Sequence, residues 1–233
     1  MAFLTDLMIY SYSLLGQNPR IYYGIMKAYP KFNERMVKKN TDIVIEGYPR
    51  CANTFAVRAF RLSQEKNYQI AHHAHVPAQI IKACEWGIPT LLLIRNPQDS
   101  VLSLKTMRPK LSVKVALKRY ISFYEKTYYF RLSVVIGHFE DVTSNFGQVI
   151  QIINEKYNTD FTLFEHTKQN VDRIFSKMDN DFLISKGKGT LTENQLTRPS
   201  EKKEAIKMKF NDQLKIKANK KLLEKAETIY FKY

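Results

Sequence analysis

The chain has 233 residues and a mass of 27.3 kDa, with 44% hydrophobic and 25% charged residues, a globular balance that excludes wholesale disorder. Eight glycines and eight prolines exclude collagen-like and linker-like chains, and two cysteines, Cys51 and Cys84, exclude a disulfide scaffold and a four-cysteine zinc module and fit a reducing, cytoplasmic setting. The net charge of +15 is concentrated in residues 101–135 (eight Lys and Arg against one acidic residue) and 184–233 (thirteen against six). That excess draws anions, whether nucleic acid, lipid headgroup, acidic polysaccharide or a polyphosphorylated nucleotide.

Length predicts one domain over residues 1–233, able to bury roughly 70% of its unfolded surface without staples. Residues 1–40 read as N-terminal helices, broken near Asn18-Pro19 and Tyr29-Pro30. Phe3 to Leu15 is too short for a membrane span and is interrupted by Asp6, Ser11 and Ser13. It also lacks the basic start and small-residue cleavage site of a secretory signal. The expected role is a helix packed on the domain, with peripheral membrane contact as the alternative.

Residues 42–47 predict a short buried strand, 54–65 a helix with Phe55, Val57, Phe60 and Leu62 as its apolar positions, and 68–71 a second strand. A helix over 78–86 leads to a third strand over 90–94, apolar throughout as central parallel strands are. A helix starting at 99, a long basic-faced helix over 113–130 and a fourth strand over 133–138 follow. Residues 145–157 place Phe146, Val149, Ile150 and Ile153 on one helical face. Residues 184–200 predict a flexible polar loop, and 200–233 a basic C-terminal helix. Strands alternating with helices predict an α/β fold, a parallel sheet of four to five strands flanked by helices, with a ligand-binding core over 41–160. In such sheets ligands sit at the carboxyl ends of the strands.

Two of those ends are rich in donors. The first strand runs into Tyr48-Pro-Arg-Cys-Ala-Asn-Thr-Phe55. A strand-to-helix turn with free N–H groups suits a phosphate-like anion, Arg50 adds a bidentate donor, and Asn53 and Thr54 add side-chain donors. The Walker A spacing is absent, and an ordinary helix cap is the competing reading. The third strand ends at Arg95, where a cation needs an anion; Asp99 or a ligand could supply it, and Ser103 follows eight residues on. The cluster His72-His73-Ala74-His75 reads as a polar strand end or as a source of a general base. On a strand, His73 and His75 share a face and His72 points away. A zinc site there lacks a fourth ligand.

Taken together, these segments resemble the sulfotransferases that use 3′-phosphoadenosine 5′-phosphosulfate. Residues 48–55 are similar to the family's phosphosulfate loop, Tyr-Pro-Lys/Arg-Ser-Gly-Thr/Asn-Thr-Trp/Phe, with Cys51 and Ala52 in place of Ser-Gly. Arg95-Asn-Pro-Gln-Asp99 with Ser103 is similar to its 3′-phosphate motif, Phe139-Glu-Asp141 to its Tyr-Glu-Asp element, and Ala74-His-Val-Pro77 to the Thr-His-Leu-Pro element of the cytosolic branch. The four elements stand in the family's order across residues 42–150.

The resemblance implies a P-loop-like fold and that nucleotide as donor, without a metal. It assigns Arg50, Asn53 and Thr54, with the backbone of Cys51 and Ala52, to the 5′-phosphosulfate. It assigns Arg95 and Ser103 to the 3′-phosphate, and Phe55 or Phe139 to the adenine. The family's Gly-rich C-terminal segment has no clear counterpart; Lys186-Gly-Lys-Gly189 or residues 198–203 are the candidates to replace it. Arg50 and His75 are the expected catalytic residues, with Glu65 as the alternative base used by glycan-modifying branches. The acceptor is a hydroxyl or amine, expected on a sugar or polysaccharide, acidic glycans included, in a pocket walled by the N-terminal helices and segment 160–198. A basic nucleic-acid-binding protein is the alternative, resting on the charge blocks with 14 Tyr and 14 Phe, but no nucleic-acid motif accompanies them. A nucleotide kinase would need the missing Walker lysine.

Overall fold

The structure, a computed structural model, describes residues 2–30, 34–185 and 201–233. Four strands, β1 (Ile43–Gly47), β2 (Ile70–His72), β3 (Thr90–Ile94) and β4 (Val135–His138), form one parallel sheet in the order β2-β1-β3-β4. This is the predicted α/β architecture. The central strands β1 and β3 are buried at every residue, as expected where helices cover both faces of a sheet.

After β1 the chain moves outward through α3 (Asn53–Ser63) to β2. It then returns through α4 (Pro77–Glu85), past β1, to β3. Right-handed crossovers in opposite directions put their helices on opposite faces. α3 accordingly shares its face with α7 (Phe139–Ser144), α8 (Phe146–Tyr157) and α9 (Lys168–Ser185). α4 lies with α5 (Pro97–Met107) and α6 (Val113–Thr127) on the other. The reversal makes the carboxyl ends of β1 and β3 the switch point of the sheet, where an α/β crevice opens.

Helix starts follow local chemistry. Pro19, Pro77 and Pro97 each open a helix, where a missing N–H costs nothing. The Asn18 side chain accepts the Arg20 N–H at 2.9 Å, and the Asn96 side chain accepts the Gln98 N–H at 3.0 Å. The N-terminal region is two helices, α1 (Ala2–Leu15) and α2 (Pro19–Met26), so Pro19 begins an element as well as ending one. α1 packs on α6 through Ile9 and Ser13, while Phe3, Leu4, Leu7 and Met8 stay exposed. No helix among the described residues is long and apolar enough to cross a membrane.

The single C-terminal helix expected over 200–233 is two: α10 (Glu201–Lys215) and α11 (Lys217–Tyr230). Ile216 adopts ψ 128°, which ends the helical ladder, and the Asn219 side chain donates to the Gln213 carbonyl at 2.7 Å. α10 follows α5 while α11 packs along α6, and a straight helix could not follow both. Residues 184 and 185, expected in the loop, belong to α9; residues 186–200, including Lys186 to Gly189, lie outside the described residues.

Candidate functional site

Loop 48–52 joins β1 to α3 at the switch point. Arg50 and Ala52 have φ of 74° and 64°, a left-handed backbone that non-glycine residues adopt at a cost of about 1–2 kcal/mol each. Of the five non-glycine residues with positive φ among the described residues, four (Arg50, Ala52, His73 and His75) lie in the two loops at this end of the sheet. Strain of this kind persists where surrounding structure holds it and concentrates at working sites. Ala52 is the N-cap of α3 and supplies no side-chain cap. The first N–H groups of a helix have no partner within it, so this terminus faces the crevice with its donors and its positive dipole end.

Three tyrosines hold the loop. The Tyr124 hydroxyl donates to the Leu93 carbonyl at 2.7 Å and accepts the Tyr48 N–H at 3.3 Å, which ties the exits of β1 and β3 together. Tyr48 donates to the Ala116 carbonyl at 3.1 Å, and Tyr120 to the Arg95 carbonyl at 2.8 Å. Asn53 is buried and its Nδ2 donates to the Tyr48 carbonyl at 2.9 Å, closing the turn; its Oδ1 has no partner among the described residues. Cys51 is fully buried with its thiol pushed up to about 12 by that burial, so only its backbone can meet a ligand. Phe55 is buried too, edge-on to Phe146 and Phe164.

Arg50, Arg95, Ser103 and Phe139 come together across the switch point. Arg50 Nε donates to Ser103 Oγ at 2.9 Å, and Arg95 Nη1 donates to the Arg50 carbonyl at 3.3 Å. The Arg95 guanidinium lies 3.9 Å above the Phe139 ring centroid, a cation–π contact. Its Nη2 is 3.9 Å from Asp99, a half-exposed carboxylate, and its Nε has no partner among the described residues. Burial and the Arg95 charge lower the Arg50 pKa. The sequence left open whether Arg95 meets Asp99 or a ligand; the long contact to Asp99 leaves most of its donors for a second anion.

The histidines are arranged differently from a continued strand. β2 ends at His72, and the left-handed φ of 59° at His73 and 54° at His75 turns the chain, so alternation does not apply. His72 touches His73 instead of pointing away. Arg61 Nη2 lies 3.4 Å from His72 Nε2, and a guanidinium can only donate. Burial first, with nearby cations, lowers His72 to about 3 and His73 to about 4, so both rings are neutral at pH 7. His72 therefore donates through Nδ1 to His73 Nδ1 at 2.6 Å, and His73 donates through Nε2 to Thr54 Oγ1 at 3.0 Å. The Thr54 hydroxyl proton then has no acceptor among the described residues.

His75 has the opposite arrangement. Its Nδ1 donates to the Gly47 carbonyl at 2.7 Å, which leaves Nε2 as an acceptor. Burial, then His73 and Arg119, hold its pKa well below the ordinary value, so the ring is neutral. The loop is held by Glu46, a fully buried carboxylate that accepts the Ala74 N–H at 2.5 Å and the His75 N–H at 3.0 Å. Burial raises Glu46 to about 7. Arg119, largely buried on α6, donates to the His75 carbonyl at 3.4 Å. Glu65 sits just past the carboxyl end of α3, about 16 Å of helix from its N-terminus.

Sequence reasoning missed Glu46 and Arg119. Each carried a signal: an acid inside the apolar run Ile43-Val-Ile-Glu-Gly47, and an arginine among Ala116, Tyr120 and Phe123 on the buried face of α6.

No family model matches the chain, and no curated protein matches it. Among solved structures the chain is similar to a mouse sulfotransferase, SULT7A1, complexed with PAP, at 12% identity and a TM-score of 0.40, over 85% of this chain and 92% of that one.

Proposed function

We propose that the chain is a sulfotransferase that moves a sulfuryl group from 3′-phosphoadenosine 5′-phosphosulfate to a hydroxyl or amine of a sugar or polysaccharide. One observation carries the reading: Arg50 and Arg95 meet at the switch point, where the Arg95 guanidinium donates to the Arg50 carbonyl and its charge helps lower the Arg50 pKa, beside an uncapped helix terminus. Like charges so close are costly unless an anion joins them. The orphaned Arg95 Nε and the uncapped α3 terminus fit a ligand with anionic groups at two places.

The donor supplies a sulfuryl group: a bond forms from acceptor oxygen or nitrogen to sulfur, the sulfur–oxygen bond to the phosphate breaks, and the bisphosphate leaves with that electron pair. Arg50, the Thr54 hydroxyl and the backbone at Cys51 and Ala52 bind the phosphosulfate end and offset charge that grows on its oxygens. Arg95 and Ser103 hold the 3′-phosphate, and Phe139 backs the Arg95 guanidinium. His75 Nε2 takes the acceptor proton. Positioning and electrostatics supply most of the rate, as in phosphoryl transfer.

Calorimetric titration with adenosine 3′,5′-bisphosphate tests the assignment. The wild type binds it, and Arg95→Ala loses affinity by about 2–4 kcal/mol, the size expected for a desolvated charge pair. Undiminished affinity in Arg95→Ala would sink the assignment.

A further inference from the structure

A cleft of about 650 Å³ opens beside Thr54 and His73, between α3 and α9. Its size falls within the range of roughly 300–1,000 Å³ typical of ligand sites. Arg35, Arg58, Arg61, Arg173 and Lys177 line it, and the only carboxylate in the lining is Asp181, which pairs with Arg58. Four cations thus face the opening with no further carboxylate beside them in the lining. Arg173 and Lys177 stand one turn apart on α9, in the stretch 136–183 where acidic residues outnumber basic ones eight to four. The two cations of α9 on the cleft therefore run against the charge of their own segment. Burial lowers the Arg61 pKa, and so do the charges of Arg58 and Arg35, the effect of like charges crowded together.

The apolar part of the lining is Val57, Leu62 and Ile174. No Phe, Tyr or Trp is among these residues, so the cleft lacks the stacking platform on which single-stranded nucleic acid is held. Guanidinium forks suit carboxylate and sulfate oxygens. The cleft also adjoins the proposed chemistry: Thr54 and His73 line it, and the His73 and His75 rings are 5.6 Å apart.

We propose that this cleft is the acceptor subsite and takes an oligosaccharide that already carries carboxylate or sulfate groups. This rests on the sulfuryl-transfer reading. It also sets an order: a reaction that installs acid groups, by oxidation to uronate or by earlier sulfation, must act on the acceptor first. A hydroxyl beside an acid group held by these cations would then lie next to Thr54 and His73, with the His75 ring adjoining.

The test uses the full chain and three labelled probes: a sulfated, uronate-containing hexasaccharide, its desulfated and carboxyl-reduced counterpart, and a single-stranded oligonucleotide of matched charge. Each is titrated by fluorescence anisotropy against the wild type and Arg173→Glu/Lys177→Glu, both exposed positions, with bisphosphate affinity measured in parallel. The acidic hexasaccharide binds at least about tenfold more tightly than the reduced one, and the double variant loses about tenfold or more of that affinity while bisphosphate affinity is unchanged. Equal binding of the two hexasaccharides overturns the proposal, as does an unaffected double variant. An oligonucleotide that binds more tightly than the acidic hexasaccharide and is lost in the double variant reassigns the cleft to nucleic acid. Bisphosphate binding without hexasaccharide binding defeats the acceptor proposal alone. No bisphosphate binding defeats the donor reading, and the acceptor role with it.

Discussion

His75 and Arg50 differ in what they can do, and the difference is in single atoms. His75 has one nitrogen committed to the Gly47 carbonyl and one lone pair left. Replacing it with Ala should cut single-turnover transfer by about 10²–10⁴-fold and leave bisphosphate affinity intact, since a base acts on the acceptor proton. Retained turnover in His75→Ala, with loss in Glu65→Gln, would move the base to the carboxylate. The depressed pKa gives a sign for the pH profile. A base normally protonates near 6.5 and loses activity below it; His75 titrates well below that value, so turnover should hold steady as pH falls through 6.5. A rate that halves near pH 6.5 would count against it. On the proposed function, Arg50→Ala should reduce turnover more than it weakens bisphosphate binding, because the bisphosphate lacks the sulfuryl group that Arg50 is proposed to serve.

At the level of elements, two short links bring the site together. Gly47 ends β1 where a Cβ would run into the Leu93 carbonyl of β3, so the two strands approach closely only because the position lacks a side chain. In the next loop Ala52 begins α3 from a left-handed backbone. Ala52→Val places a β-branched residue there and should lower stability by about 1–2 kcal/mol in urea denaturation, while Ala52→Gly should be tolerated. Glu46 couples β1 to the histidine loop. In Glu46→Gln one carboxylate oxygen becomes an amide donor facing a backbone donor, so a bond from Ala74 or His75 is lost. The cost should be about 1–3 kcal/mol, with turnover falling more than bisphosphate affinity as the His75 loop loosens.

For the whole molecule, the buried ionisable groups make stability depend on pH in opposing directions. His72 and His73 have folded pKa values near 3 and 4, below the ordinary 6.5. Their contribution is present above pH 6.5 and is lost as pH falls from there towards 3, because the unfolded chain takes up protons that the fold refuses. Glu46, raised from 4.5 to about 7, acts the other way: the fold holds a proton that the unfolded chain has released, so stability is lost as pH rises from 4.5 to about 7. Each group contributes a slope of up to about 1.4 kcal/mol per pH unit. Two histidines, joined by His75, outweigh one carboxylate, so urea midpoints should fall as pH drops from 6.5 to 4.5. His72→Gln/His73→Gln should flatten that decline, and an unchanged slope in this variant would refute the assignment.

Much of this protein could be read along the chain, because local chemistry writes itself into adjacent residues. The apolar run at 90–94 and the alternation of strand and helix periods are short-range features, and they predicted a parallel α/β sheet with donors at the ends of its first and third strands. Arg50 and Arg95 were visible for the same reason, each lying within three residues of a strand end; Ser103, nine residues past β3, was marked by its spacing from Arg95 in the family resemblance. Their meeting was not visible. Arg50 reaches Ser103 only because the strand order reverses between β1 and β3. The histidines show the limit most sharply: alternation assumes an extended chain, and two left-handed residues held by Glu46 from another strand set the ring directions instead. The basic cleft left no local trace at all, since Arg35, Arg61 and Lys177 are far apart in sequence and ordinary as surface residues. Only the packing of α9 on α3, with the segment before β1 beside them, makes their charges neighbours, and repulsion between neighbours is a property of distance in space, which the order of residues does not contain.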